Sequence, residues 1–123
     1  MAAHIKKAIY PATVIASDTT TVGEAFGIHA HAEGGYLVST VSSRSDGTFT
    51  TTLQHSRDGV NWTNVLDDEN AALATAAQSG DGTVYKQLIS TAVLFPYVRA
   101  SILSASTTSG ATVTVEFWHG VQR

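Results

Sequence analysis

Cysteine is absent from the 123-residue chain. That excludes disulfide staples, thiolate nucleophiles and cysteine-ligated zinc or iron–sulfur centres. Charged residues are also scarce, 14% of the chain with a net −3, so nucleic acid is not an expected partner, because phosphate binding needs clustered Lys and Arg. No apolar run approaches the roughly 18–20 residues that cross a bilayer, so no membrane partner is expected either. Met1–Lys7 carries two lysines but no apolar stretch behind them, unlike a secretory signal. Proline occurs twice, and Leu, Glu and Lys, ordinary helix material, are few. Ser and Thr are abundant instead, about a quarter of the chain, a composition suited to strands and turns. A chain of this length can bury roughly two-thirds of its unfolded surface around one core.

Periodicity gives the same fold class. Phe26, Ile28 and Ala30 alternate with Gly27, His29 and His31, and after Gly34-Gly35 a β-branched run resumes from Tyr36 to Ser43. Phe49, Thr51, Leu53 and His55 share one face of the next strand, and Val98, Ala100 and Ile102 share one face of a later one. The last strand sets Val113, Val115 and Phe117 against Thr112, Thr114, Glu116 and Trp118. Ser45-Asp46-Gly47, Arg57-Asp58-Gly59 and Thr107–Gly110 supply turn residues and predict three hairpins. Between Asp67 and Gly80 two readings stand: a short helix near 68–79 capped by Asp67 and Asp68, or an irregular crossover between sheets. The expected architecture is all-β, an antiparallel β-sandwich of jelly-roll-like or Ig-like form. Residues 1–10 are expected to form an N-terminal arm and residues 11–123 a single sandwich domain.

Chemistry-bearing motifs are weak. His29 and His31 project from one face of a strand, as paired metal ligands would, with Glu33 following and a third imidazole obtainable from His55 or His119. Cupins, however, leave three or four residues between the second His and the Glu. Here only Ala32 intervenes, and a solvent- or subunit-facing pair is the simpler reading. Ser56-Arg57-Asp58-Gly59-Val60-Asn61-Trp62 looks like a shortened Asp-box and reads as a structural turn of Asp58 and Gly59 anchored by Trp62. Asp67, Asp68 and Glu69 lack the spacing of a calcium loop. No nucleophile elbow or phosphate-binding glycine loop occurs, so neither catalysis nor a cofactor is expected. Trp118, out of phase with the apolar set, is expected to face outward, toward solvent, a sugar or another subunit.

Leu53-Gln54-His55-Ser56, the turn Arg57-Asp58-Gly59, Trp62-Thr63-Asn64-Val65, Tyr97-Val98-Arg99-Ala100 and the run from Thr108-Ser109-Gly110 into Val113-Thr114-Val115 carry a resemblance. From Val22 to Gly120 the chain resembles small structural proteins of tailed bacteriophages and prophages, in particular capsid decoration or cement proteins. The resemblance implies a non-enzymatic β-sandwich that binds the outside of an assembled head and stabilises it. Its partners would be the major capsid protein and copies of itself, as dimer or trimer, and its location the virion. Ile5, Lys6, Lys7, Ile9, Tyr10 and Trp118 are the expected capsid or subunit contacts. A tail or neck component, or a carbohydrate-binding or adhesion module on the virion, is the alternative.

Overall fold

The computed structural model describes residues 3–27, 32–67, 69–88 and 94–121. Its strands are β1 (Ala3–Ile15), β2 (Thr19–Val22), β3 (Phe26–Gly27), β4 (Ala32–Ser42), β5 (Thr48–Ser56), β6 (Thr63–Asn64), β7 (Gly82–Leu88), β8 (Tyr97–Ala105) and β9 (Ala111–Val121). They form two antiparallel sheets. Sheet A has the order β1-β9-β4-β7, and sheet B the order β2-β8-β5-β6, with β3 also on β8.

The pairing follows from folding one long ribbon. β1 pairs with β9, β2 and β3 with β8, β4 with β7, and β5 with β6. Each pair is nested inside the previous one along the chain. Rolling that ribbon up adds two seams, β4 on β9 and β8 on β5. With β2 and β3 counted as one interrupted strand, this is the eight-strand jelly roll rather than the Ig-like arrangement.

Two of the three expected hairpins are therefore something else. Ser45–Gly47 joins β4 to β5 and Thr107–Gly110 joins β8 to β9, and both cross from one sheet to the other. Turn residues mark where a chain reverses, not which sheet receives the next strand. Only Arg57–Gly59 sits in a true hairpin, between the paired strands β5 and β6. The two arches meet at Asp46, whose carboxylate accepts the N–H groups of Thr108, Ser109 and Gly110 and the Thr108 hydroxyl. Ser45 N–H donates to the Gly110 carbonyl alongside (2.8 Å).

The helix considered near 68–79 is not formed among the described residues of that stretch. Asp67 Oδ1 accepts the N–H groups of Glu69 and Ala71, and Asn70 takes φ +60, which turns the chain away from a helical path. From Ala72 the chain runs extended along the edge of β5. Leu53 N–H donates to the Leu73 carbonyl, Thr75 N–H donates to the Thr51 carbonyl, and Phe49 and Gln78 bond to each other reciprocally. An alanine-rich run of this length is a marginal helix in isolation. Here it satisfies an otherwise open sheet edge and buries Leu73, Thr75 and Gln78.

The segment expected as an arm is, from Ala3 onward, the first part of β1. It continues past residue 10 with register shifts at Ala8/Tyr10 and Tyr10/Thr13. Ile9 and Tyr10 are core residues, beside Leu37, Val41, Phe49, Leu53, Ile102, Val115 and Phe117. Burying a side chain such as Phe49 or Phe117 stabilises the fold by about 1.5–3 kcal/mol. One polar contact bridges the sheets through this core: the Thr51 hydroxyl donates to Ser39 Oγ (3.1 Å), both residues fully buried. The Gly34-Gly35 interruption coincides with a bulge of β4 against β9 between Glu33 and Tyr36.

Gly110 and Gly59 separate two reasons for glycine in a turn. Both have positive φ, but a Cβ on Gly110 would overlap the Ile15 carbonyl, whereas one on Gly59 meets nothing. Gly59→Ala is expected to cost about 1–2 kcal/mol, the backbone penalty alone. Gly110→Ala is expected to cost roughly 2–4 kcal/mol, because the β1 end must also shift. Urea denaturation of the two variants checks this, and equal midpoints would contradict it.

Candidate functional site

The inner faces of both sheets are used up by the core, so chemistry available to partners lies on the outer faces and at the ends. Three places stand out.

The first is the outer face of sheet A. Alternation along β9 sends Trp118 outward, as expected from the sequence, and cross-strand register sets Tyr36 directly opposite it on β4. Tyr85, on β7 opposite Val38, completes the group. Trp118 meets Tyr85 edge-on at 5.7 Å and Tyr36 at 6.4 Å between ring centres, and its indole N–H donates to Glu116 Oε1 (3.1 Å). Tyr85 is 57% exposed, and the aromatic group covers Val38, which leaves that outward residue buried. Of the other contacts expected, Ile5, Lys6 and Lys7 pair with His119, Trp118 and Phe117. Ile9 and Tyr10 are buried against the core.

The second is the end of sheet B where β5 stops and β8 begins. Ser56 Oγ accepts the N–H groups of Asp58 and Gly59, and Asp58 Oδ1 accepts those of Val60 and Asn61. The Asn61 amide side chain reaches Asp58 Oδ2 (2.8 Å). Asp58 is thus an internal cap, and the turn holds Trp62 in place. Across the outer face the Gln54 amide donates to Asn64 Oδ1 (3.1 Å), and Arg99 Nε donates to Gln54 Oε1 (2.8 Å). This ladder fixes the Arg99 guanidinium over the Trp62 ring, 4.4 Å from its centre. Beside it Arg57 lies 4.6 Å over Phe95, which stacks at 4.1 Å on His55. The third place is an open groove of about 380 Å³ between β1 and the β2–β3 segment, with Tyr10, Pro11, Val22 and Phe26 among its walls and Glu24 beside them.

Sequence reasoning reached Asp58, Gly59, Trp62 and Trp118. It missed Arg99 as a member of the Trp62 group, although its outward phase between Val98 and Ala100 and its isolation as a charge were both readable. His29 and His31 lie outside the described residues. Among the described residues no group of three His, Asp or Glu side chains comes together, and Asp67 is occupied as a turn cap. Neither a protein-family model, a curated protein nor a solved structure matches the chain.

Hydrogen bonds to Asp46 from Thr108, and to Asp58 from the Asn61 and Val60 amides, hold both carboxyls well below the usual carboxylate range. Burial pushes His55 down, and its Nδ1 accepts the Phe95 N–H (3.2 Å). In each case the folded value lies below the unfolded one, so the stability contributed is present above the unfolded value and lost as pH falls past it. His55 therefore contributes above about pH 6.5, and the two aspartates above about pH 3.8. The melting temperature is expected to fall in two stages as pH drops through those values. His55→Gln should flatten the first stage, and Asp46→Asn or Asp58→Asn the second. A melting temperature constant from pH 7 to 3 would contradict the assignment.

Proposed function

We propose that this chain is a non-enzymatic structural protein of a phage virion, a decoration or cement protein that binds the outside of an assembled head and stabilises it. The observation that carries the reading is the Tyr36–Tyr85–Trp118 group standing on the outer face of sheet A. Aromatics on the outer face of a rigid sheet, with Tyr85 exposed and Tyr36 and Trp118 half-buried beside it, are the usual anchors of protein contacts, because they bury large area at little conformational cost. The sequence resemblance to phage structural proteins supplies the partner, the major capsid protein, and the expectation of copies assembling as dimer or trimer. Jelly rolls also serve as viral capsid and lectin domains, an analogy of fold that adds weight but no site.

The same group favours one second reading, a carbohydrate-binding module on the virion, since Tyr85 and Trp118 could stack a sugar ring. The experiment that separates them is co-sedimentation with shells lacking this protein, beside a glycan array. Saturable binding to a fixed number of sites per shell is expected, weakened about ten-fold or more by Trp118→Ala with Tyr85→Ala. Absence of shell binding would overturn the reading, and glycan binding in its place would establish the second. Truncation before Pro11 is no substitute, because it removes Ile9 and Tyr10 from the core.

A further inference from the structure

Sheet B is almost devoid of charge. Arg99 is the only charged side chain in the sequences of β2, β3, β5, β6 and β8, where His55 is the one other titratable base. It is nevertheless the most elaborately held residue of the outer face. Trp62 lies under the guanidinium, Gln54 takes the Nε–H, and Asn64 holds Gln54. The terminal Nη groups have no partner among the described residues, and no carboxylate pairs with them. A side chain with this much rotamer freedom loses entropy when immobilised; the Trp62 and Gln54 contacts offset that loss in the free protein, so that a ligand need not.

The surroundings indicate what the ligand is attached to. Along β8 the outward positions beyond Arg99 are Ser101 and Leu103, and before it Tyr97; Val22 stands opposite Ser101 on β2. Leu103, Val22 and Tyr97 are 54%, 48% and 39% exposed. Thr48, Thr50 and Thr52 on β5 extend the neutral face. Exposed aliphatic side chains beside a Trp, a Tyr and an Arg suit a protein surface; a sugar chain would use aromatic planes and leave Leu103 and Val22 uncovered. At the same end Arg57 lies over Phe95 and makes no ion pair among the described residues.

We propose that the Arg99–Trp62 stack is a preorganised receptor for a carboxylate side chain, and that the outer face of sheet B docks a flat protein surface bearing Asp or Glu among apolar residues. The planar fork of Arg99 offers two parallel N–H groups to one carboxylate. This contact is independent of whatever the Trp118 face meets, because it lies on the opposite sheet.

The test is an NMR titration of the whole chain with hexaglutamate, hexaglutamine and an oligogalacturonate as probes, following the Arg99 side-chain and Trp62 indole N–H resonances. Hexaglutamate is expected to shift both saturably, in a salt-sensitive manner, and hexaglutamine to leave them unmoved. Arg99→Gln should weaken the interaction about ten-fold or more, and Arg99→Lys a few-fold, since it keeps charge but loses the fork. Trp62→Phe, which retains a ring beneath the guanidinium, should retain most of the binding. No shift with hexaglutamate at millimolar concentration would overturn the proposal. Equal binding of oligogalacturonate would overturn the protein surface as occupant. Self-association of the free chain abolished by Arg99→Gln would replace that partner with a second copy.

Discussion

Everything in this molecule depends on β9 being held between β1 and β4. The last strand of the chain supplies the hydrogen-bonding edge for the first, and without it sheet A divides into an isolated β1 and a β4–β7 pair. The same strand fills the core with Val113, Val115 and Phe117 on one side and displays Glu116 and Trp118 on the other. Its entry into the sheet is set by Asp46, which ties the β8–β9 arch to the β4–β5 arch with charge-assisted hydrogen bonds. A pairing of chain ends is a long-range contact, so its loop-closure entropy must be met before the contact stabilises anything. The arch residues that shorten the search are accordingly as important to the fold as the apolar residues that reward it.

A closed sandwich leaves partners two kinds of surface, and the two outer faces here are chemically different. Sheet A offers a cluster of edge-to-face aromatics, adaptable to a protein or a glycan. Sheet B offers Thr, Ser and scattered aliphatics around one guanidinium held flat on an indole. Rigid strands beneath both faces keep these groups where folding puts them, so that little order need be acquired on binding. Two unlike faces on one small domain are what the proposed role of linking surfaces requires.

Much of this was legible in the chain itself, and the failures have a common cause. Alternation placed Phe49, Leu53 and His55 on one inner face and Trp118 outward, because a strand's period of two is a local property. It could not say that β4 and β5 lie in different sheets, since Ser45–Gly47 would read the same in a hairpin as in an arch. The stretch after Asp67 left a helix and a crossover between sheets both open: its alanines suit a helix, but the unpaired edge of β5 is a stronger claim on its backbone, and the chain crosses there from sheet B to sheet A. Ile9 and Tyr10 looked like part of an arm because nothing near them in sequence reveals the partner strand at the far end of the chain. Arg99 and Trp62 meet only through the β5–β6 hairpin and the β5–β8 seam, a juxtaposition that requires the register and not the motif.

In the proposed role, the Trp118 face is the attachment surface on an assembled head. Hydroxyl-radical footprinting of the bound and free protein measures this at side-chain level. Strong protection of Tyr85 and Trp118 on the shell is expected, with Val60, 77% exposed on the β5–β6 turn, labelled as before. Unchanged labelling of Tyr85 and Trp118 in shell-bound protein would contradict it.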